Sequence, residues 1–204
     1  LALEWIDLVA ATSRTESLLG EQLARLHRTT ADQFGWHRYN TIGATPQHND
    51  WTADWCEFFA RHRLGFQLEL AEHNGHAGRW LERGLELCER LDAFFDGYRP
   101  QPSLLHGDLW GGNWAADAAG APVLFDPAMY FGDREADLAM TQLFGGFGRQ
   151  FYVAYEAAWP LDPGAATRRD LYNLYHVINH LNLFGGGYRG QAEAMIERLL
   201  AATS

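Results

Sequence analysis

"SLLHGDLWGGNWAADAAGAPVLFDPAMYFGDREADLAM", residues 103–140, is the stretch whose reading decides the fold. Ser103-Leu104-Leu105 predicts a short strand that hands over to a loop at His106-Gly107-Asp108. Residues 114–116 and 122–125 flank Asp117-Ala118-Ala119-Gly120, which has the composition of a tight turn, so a hairpin centred near Ala119-Gly120 is expected. Folding about that centre sets Asn113 opposite Asp126. Directly opposed residues in a hairpin have Cβ atoms about 5 Å apart. An amide oxygen and a carboxylate would then share the hairpin's open end, within reach of Asp108 on the preceding loop.

Hard oxygen ligands that leave positions for phosphate oxygens and water suit magnesium, which seldom takes an all-protein cage. An aspartate beside a metal-bound phosphate can accept the proton of an attacking hydroxyl. Taken singly, Asp and Asn are ordinary turn and cap residues. The joint spacing is more telling. His106, Asp108 and Asn113 form H-x-D-x-x-x-x-N, with a second strand ending in Asp126. The same D-x-x-x-x-N spacing occurs in the kinase catalytic loop, whose Asp is the base and whose Asn holds magnesium. The segment therefore points to phosphoryl transfer.

Outward from this segment the pattern is mostly helical. Ser13-Arg14-Thr15-Glu16 reads as a capping box opening a helix to about Thr29, with Leu19, Leu23 and Leu26 on one face. Residues 33–50, with Gly, Pro and Asn, predict a long irregular loop. Trp51, Trp55, Phe58 and Phe59 mark a second helix, and Leu81, Leu85, Cys88, Leu91 and Phe95 a third. Further helices are expected over residues 134–155 with a break at Gly145-Gly146, over 165–184, and over 191–202. The expectation is an α+β, mostly helical body around one small sheet. "LALEWIDL", residues 1–8, reads as the end of a strand and opens without methionine, cap or turn, which predicts that a preceding segment is missing.

Composition narrows the classes. The chain has 204 residues, 47% hydrophobic and 21% charged, with no apolar run near the roughly 20 residues of a membrane span and no signal-peptide pattern. That is the profile of a soluble, cytoplasmic domain. Cys56 and Cys88 sit in helical patterns and form neither a disulfide framework nor a zinc-ligand spacing. His73 and His76 fall in a Gly/Asn-rich turn and read as solvated loop. A net charge of −10 without a basic cluster argues against nucleic-acid and acidic-membrane surfaces, and favours cationic or amine-bearing ligands. All sixteen basic residues are arginine, so no mechanism that requires a lysine is complete within these residues.

With "LLHGDLWGGNW" and "DPAMYFGDREADLAM" in place, the chain resembles the fructosamine kinase (ketosamine kinase) family. That family sits in the aminoglycoside phosphotransferase and choline kinase-like group of protein-kinase-like folds. "IGATPQHNDW" (residues 42–51), "LGEQLARLH" (19–27) and "NHLNLFGGGY" (179–188) extend the resemblance over essentially the full chain. It implies ATP and magnesium as cofactors and a small-molecule or protein-bound ketosamine as substrate. Asp108 would be the general base acting on the sugar 3-hydroxyl, with Asn113 and Asp126 as magnesium ligands. His106 would brace the loop, and Asp137 would anchor it from a helix start. The backbone of Glu4, Trp5 and Ile6 would form the hinge that holds adenine. Trp110 would wall the sugar site, a core aromatic being the plain alternative. Residues 1–8 would be the hinge strand end and 9–204 the large C-terminal lobe, with the phosphate-covering, lysine-bearing N-terminal lobe absent. The resemblance to the hinge and large lobe alone implies that these 204 residues by themselves are inactive. An aminoglycoside or other small-alcohol phosphotransferase, or a kinase-like lobe that binds without turnover, are the competing readings. Asp133 stands where many relatives carry His, which puts any substrate role there in doubt.

Overall fold

The chain is described over residues 5–203 in a computed structural model. Glu4, the first of the proposed hinge residues, lies outside the described residues, as do residues 1–3. Of the strand expected over residues 1–8, the described residues contain the short strand β1, Leu8–Val9. Trp5 and Ile6 precede it, exposed, with the Trp5 indole donating to Asp7 Oδ1 at 3.0 Å.

Helix α1, Ser13–His27, begins one residue earlier than the Ser13–Glu16 box predicts. Thr12 is the cap: its hydroxyl accepts from the Thr15 N–H, and Thr15 returns the bond to the Thr12 N–H. Glu16 cannot close the expected box because its Oε1 accepts the N–H of Gly148 at 3.0 Å, far along the chain. The stretch 33–50 is not wholly irregular. It contains strands β2, Asn40–Ile42, and β3, Thr45–Gln47, paired antiparallel with Ile42 opposite Thr45. Helix α2, Trp55–Phe59, starts at an Asp54 cap and runs through a π-helical stretch, Ala60–Gly65, into α3, Phe66–His73. Helix α4, Arg79–Glu89, gives way to a 3-10 turn, Leu91–Phe95, where a continuous helix was expected.

Residues 103–140 supply four strands: β4, Ser103–Leu105; β5, Trp114–Asp117; β6, Pro122–Leu124; and β7, Tyr130–Gly132. Helices α5, Glu135–Leu143, and α6, Arg149–Ala158, are separated by the glycines at 145 and 146, as expected. Helix α7, Ala165–Phe184, has the predicted bounds, and α8, Arg189–Ala202, follows. Instead of one small sheet, the described residues form three: β1–β5–β6, β2–β3 and β4–β7, all antiparallel. Each is too short to stand alone and is held by the helices around it.

Helix α7 is the axis of the larger core. Leu171, Leu174, Val177, Ile178 and Leu181 bury one side of it against Phe58, Phe59, Leu64, Leu68 and Leu87. Truncating one such leucine to alanine costs about 2–5 kcal/mol, which is a large share of a domain's stability. A second cluster joins α1 and α6 through Leu19, Leu23, Phe151 and Tyr155, and reaches residues 103–140 at Leu109, Trp114 and Leu138.

Three buried guanidinium groups complete the frame. Arg63 lies over the Tyr130 ring at 3.9 Å and donates to the His48 carbonyl and to Asn49 Oδ1, both at 2.7 Å. Arg168 of α7 lies over Tyr98 at 3.8 Å and grips the Glu135 carboxylate through Nε and a terminal nitrogen at 2.7 and 3.0 Å. This clamp fixes the start of α5. Arg134, over Trp159 at 4.1 Å, donates to the carbonyls of Trp159 and Pro160. Asp133 is wholly buried and accepts from the hydroxyls of Tyr98 and Tyr172, so it belongs to this frame and not to a ligand site.

Candidate active site

The loop after β4 is shaped by Gly107 and held by Asp137. Gly107 has a φ of +83°, and a Cβ there would meet the Ala128 carbonyl oxygen at 2.1 Å. Only glycine suits a left-handed position that so closely approaches another strand of backbone. Asp137, in the first turn of α5, accepts the N–H groups of His106 and Gly107, each at 2.8 Å. His27 Nε2 stands 3.1 Å from the same carboxylate, and its Nδ1 is 2.8 Å from the Tyr155 hydroxyl. Arg134 donates to that hydroxyl, so the tyrosine in turn donates to Nδ1 and the His27 Nε2–H points at Asp137. Burial alone would raise the Asp137 pKa, but these donors outweigh it and hold the carboxyl below its ordinary value. Asp137 thus has the anchoring place expected of it.

His106 braces the other side of the loop. Its Nδ1 accepts the Asp108 N–H at 3.3 Å, which leaves Nε2–H to donate to the Phe125 carbonyl at 3.0 Å. Its own carbonyl accepts the Ala128 N–H at 2.8 Å. Gln47 and Asn40, from the hairpin missed in the sequence, donate to the carbonyls of Ala128 and Met129 at 3.0 and 2.8 Å. The segment carrying Asp126 is therefore fixed from two directions.

The hairpin register differs by one residue from the expectation. Trp114 pairs with Leu124, and Phe125 donates to the Asn113 carbonyl at 3.1 Å, so Phe125 and not Asp126 lies opposite Asn113. The reason is the turn. Gly120, at φ +81°, makes a three-residue loop closed by the Asp117 N–H on the Ala121 carbonyl at 2.9 Å, and the centre falls on Ala119. Asp126 is the next residue along, just past the ladder. It has a φ of +52° and is the one non-glycine residue among those described with a positive φ. That conformation costs about 1–3 kcal/mol and is typical of positions where function dictates geometry.

Asn113 Nδ2 donates to the Asp108 carbonyl at 2.9 Å and to its carboxylate at 3.2 Å. Its amide oxygen is thereby turned away from Asp108 and accepts no hydrogen bond among the described residues. Asp126, exposed, likewise has a free carboxylate and lies near enough to contribute to the field at Asp108. Burial is the main influence on Asp108, pushing its carboxyl up to about 6. His180 and the Asn113 amide oppose this, and the charges of Asp137 and Asp126 add to it. Among the described residues no cluster of three or more His, Cys, Asp or Glu side chains is arranged to hold a metal. One free amide oxygen and one free carboxylate nevertheless fit a magnesium ion that takes its remaining ligands from phosphate and water.

Asp108 opens onto a cavity of about 430 Å³ shared with Trp110, Phe144, Asn179, His180 and Tyr188. Trp110 is 40% exposed and forms a wall, not part of the core. His180 Nδ1 donates to the His176 carbonyl at 2.8 Å, and its ring packs on Phe144, Phe184 and Tyr188. In the sequence, Asn179 and His180 stand only within a block of resemblance. Isolated Asn and His in a helical pattern give no sign of which cavity they face. A larger cavity of about 730 Å³, lined by Asp54, Asp92, Tyr98 and Arg99 among others, contains no member of this constellation and is set aside as the reaction site. No described helix is long and apolar enough to cross a membrane.

Comparison with known proteins gives a consistent result. A family model described as fructosamine kinase matches residues 1–202. A protein of Synechocystis named "Probable ketoamine kinase" is 47% identical over 201 residues, which is 98% of this chain and 67% of that protein. A rice protein named protein-ribulosamine 3-kinase, chloroplastic, is 47% identical over 91% of this chain and 54% of its own length. The chain thus spans between about half and two thirds of such relatives. A crystal structure of a provisionally assigned fructosamine-3-kinase from Thermobifida fusca superimposes with a TM-score of 0.90 at 32% identity, covering 97% of this chain and 69% of that one. The ADP-bound aminoglycoside phosphotransferase APH(2'')-Ib shares the fold alone, at a TM-score of 0.54 and 17% identity over 97% of this chain and 70% of that one.

Proposed function

The chain belongs to the fructosamine kinase family, and from that premise we propose that it supplies the acceptor and metal side of an ATP-dependent ketosamine kinase. The reaction would place the γ-phosphoryl group of ATP on the sugar 3-hydroxyl. What carries the reading is the meeting of Asp108 and Asn113 at the mouth of the 430 Å³ cavity, with Asp126 beside them.

In this account the sugar occupies the cavity against Trp110, and the polar edge formed by Asn179 and His180 receives its hydroxyl and amine groups. Asp108 accepts the hydroxyl proton as that oxygen bonds to phosphorus and the bond from phosphorus to the ADP oxygen breaks. Partial burial suits the role, because it raises the carboxylate's affinity for the proton it must take. Asn113 Oδ1 and the Asp126 carboxylate would hold magnesium, which when bound offsets charge on the phosphate oxygens. His106 and Asp137 act through the backbone, keeping Asp108 in reach of the acceptor. The backbone of Trp5 and Ile6 is the proposed adenine edge, and it enters β1, which pairs with β5 directly after Asn113. The aminoglycoside reading has only a shared fold behind it.

The test uses the full gene product with fructosamine, ribulosamine, aminoglycoside and choline substrates. Asp108→Asn keeps shape but cannot take the proton, so kcat with a ketosamine should fall about 10²- to 10⁴-fold at near-normal Mg-ATP affinity. A loss under about tenfold would remove Asp108 from the role of base. Asp126→Ala should abolish magnesium-dependent ATP binding by calorimetry without changing the circular dichroism spectrum.

A further inference from the structure

Away from the reaction cavity, a smaller one of about 190 Å³ is lined by Tyr98, Arg99, Gln101, Ser103, Arg134 and Trp159. Its makeup is unusual for a chain of net charge −10: two guanidinium groups and no carboxylate. Neither guanidinium makes an ion pair among the described residues, although the charge of Arg134 acts on the Glu135 carboxyl beside it. Arg134 is buried and donates only to carbonyls and to the Tyr155 hydroxyl. Arg99 is exposed and, among the described residues, makes no ion pair or hydrogen bond, although it also borders the larger cavity that contains Asp54, Asp92 and Asp96. The second, independent observation is Ser103. Its residue is 1% exposed and its hydroxyl is buried with no hydrogen-bond partner. Buried hydroxyls are nearly always partnered, and an exception is accounted for by strain, a functional role, a water or an ion.

We propose that this cavity is a binding site for a phosphate-class oxyanion, distinct from the site where phosphoryl transfer is proposed. Arg134 keeps its Nε–H and one terminal N–H beyond the bonds it already makes, and with Arg99, the Ser103 hydroxyl and the Gln101 amide bordering the same small space there are more donors than the two coplanar oxygens of a carboxylate can use. A tetrahedral phosphoryl group presents three or more oxygens and meets them. The volume lies below the roughly 300–1,000 Å³ of ordinary ligand pockets, which excludes a nucleotide and admits inorganic phosphate or the phosphoryl end of a small ester.

The position gives such binding a consequence. Ser103 is the first residue of β4, which leads directly into His106. Arg134 precedes α5, whose Asp137 holds the N–H groups of His106 and Gly107. An anion bridging Ser103 and Arg134 ties together the two segments that together support the Asp108 loop.

The experiment is a thermal-melting and calorimetric titration of the full gene product with inorganic phosphate, at constant ionic strength and with magnesium chelated. Glycerol phosphate in a parallel series separates a bare ion from a monoester. A saturable rise in Tm is expected, with affinity for one or both probes weakened about tenfold or more by Arg99→Ala and by Ser103→Ala, as the loss of one charge-assisted or buried hydrogen bond implies. Both variants should fold: one side chain is exposed and the other loses only an unpartnered hydroxyl. Asp126→Ala should leave the titration unchanged. Absence of saturable binding by either probe would overturn the proposal. So would saturable binding that both cavity variants preserve, since the anion would then be bound elsewhere on the chain. The proposal stands or falls independently of the ketosamine reading.

Discussion

Replacing Asp137 by asparagine tests whether the His106–Asp108 loop is held as described. The carboxylate is 1% exposed and accepts three donors: the His106 N–H, the Gly107 N–H and His27 Nε2. Gly107 addresses one oxygen, while His106 and His27 share the other. An amide can keep its oxygen on only one side, so its NH₂ must face at least one N–H. Losing one hydrogen bond to a charged group costs about 1.5–3 kcal/mol, and leaving its buried donor unsatisfied costs about 1–3 more. We expect a stability loss of about 3–5 kcal/mol by urea denaturation at pH 7, with the m-value unchanged. His27→Ala should cost less in the Asp137→Asn background than alone, because the two share one bond. The pH dependence has a definite sign. Asp137 has its pKa lowered on folding, so its contribution is present above the unfolded value of about 3.9 and is lost as pH falls through the folded value. The variant should therefore show a shallower acid limb below about pH 4. A loss under about 1 kcal/mol at pH 7, or an unchanged acid limb, would refute the anchoring role.

Three further outcomes are expected. Gly107→Ala places a methyl 2.1 Å from the Ala128 oxygen at φ +83°, and should either prevent folding or cost upwards of about 3 kcal/mol by denaturant titration. Burial pushes His176 down to about 3, so the unfolded chain takes up its proton first as pH falls below about 6.5. Between pH 7.5 and 5 this residue should cost about 2 kcal/mol of stability, and His176→Phe should flatten the profile by that amount in the same titration. Finally, no lysine is present to neutralise nucleotide phosphates, and phosphoryl transfer depends on charge stabilisation around the whole nucleotide. Residues 1–204 expressed alone should bind Mg-ATP weakly and phosphorylate no ketosamine. Turnover by that chain, lost on Asp108→Asn, would show that arginine or backbone groups suffice.

The parts of the structure that sequence made legible are those with a strong local period or a fixed spacing. Helix α7 has the bounds its apolar repeat predicts, and Asn113 hydrogen-bonds to Asp108, with the charge of Asp126 acting on the same carboxyl. The errors have local causes. The left-handed Gly120 shifts the hairpin centre by one residue, so Phe125 and not Asp126 lies opposite Asn113. The α1 cap shifted because Glu16 is engaged with Gly148, a contact no local rule anticipates. Strands β2, β3 and β7 have three residues each, too few for alternation to register, yet Gln47 and Asn40 from two of them hold the segment after Asp126. Burial of Ser103 and the cavity beside it depend on how β4 meets residues far along the chain.

The buried guanidinium groups described above have a chemical corollary. Arg63, Arg134 and Arg168 each lie face-on to an aromatic ring, and Arg63 and Arg168 each also fan out hydrogen bonds to acceptors in more than one direction. A planar, delocalised cation does this; a compact ammonium on a flexible stem cannot. The frame is built so that none of its interior cations calls for a primary amine, and the surface uses none either. No side chain among these 204 residues can therefore condense with a reducing sugar to form a lysine-borne ketosamine. A domain proposed to act on such adducts carries no side-chain position at which it would become its own substrate.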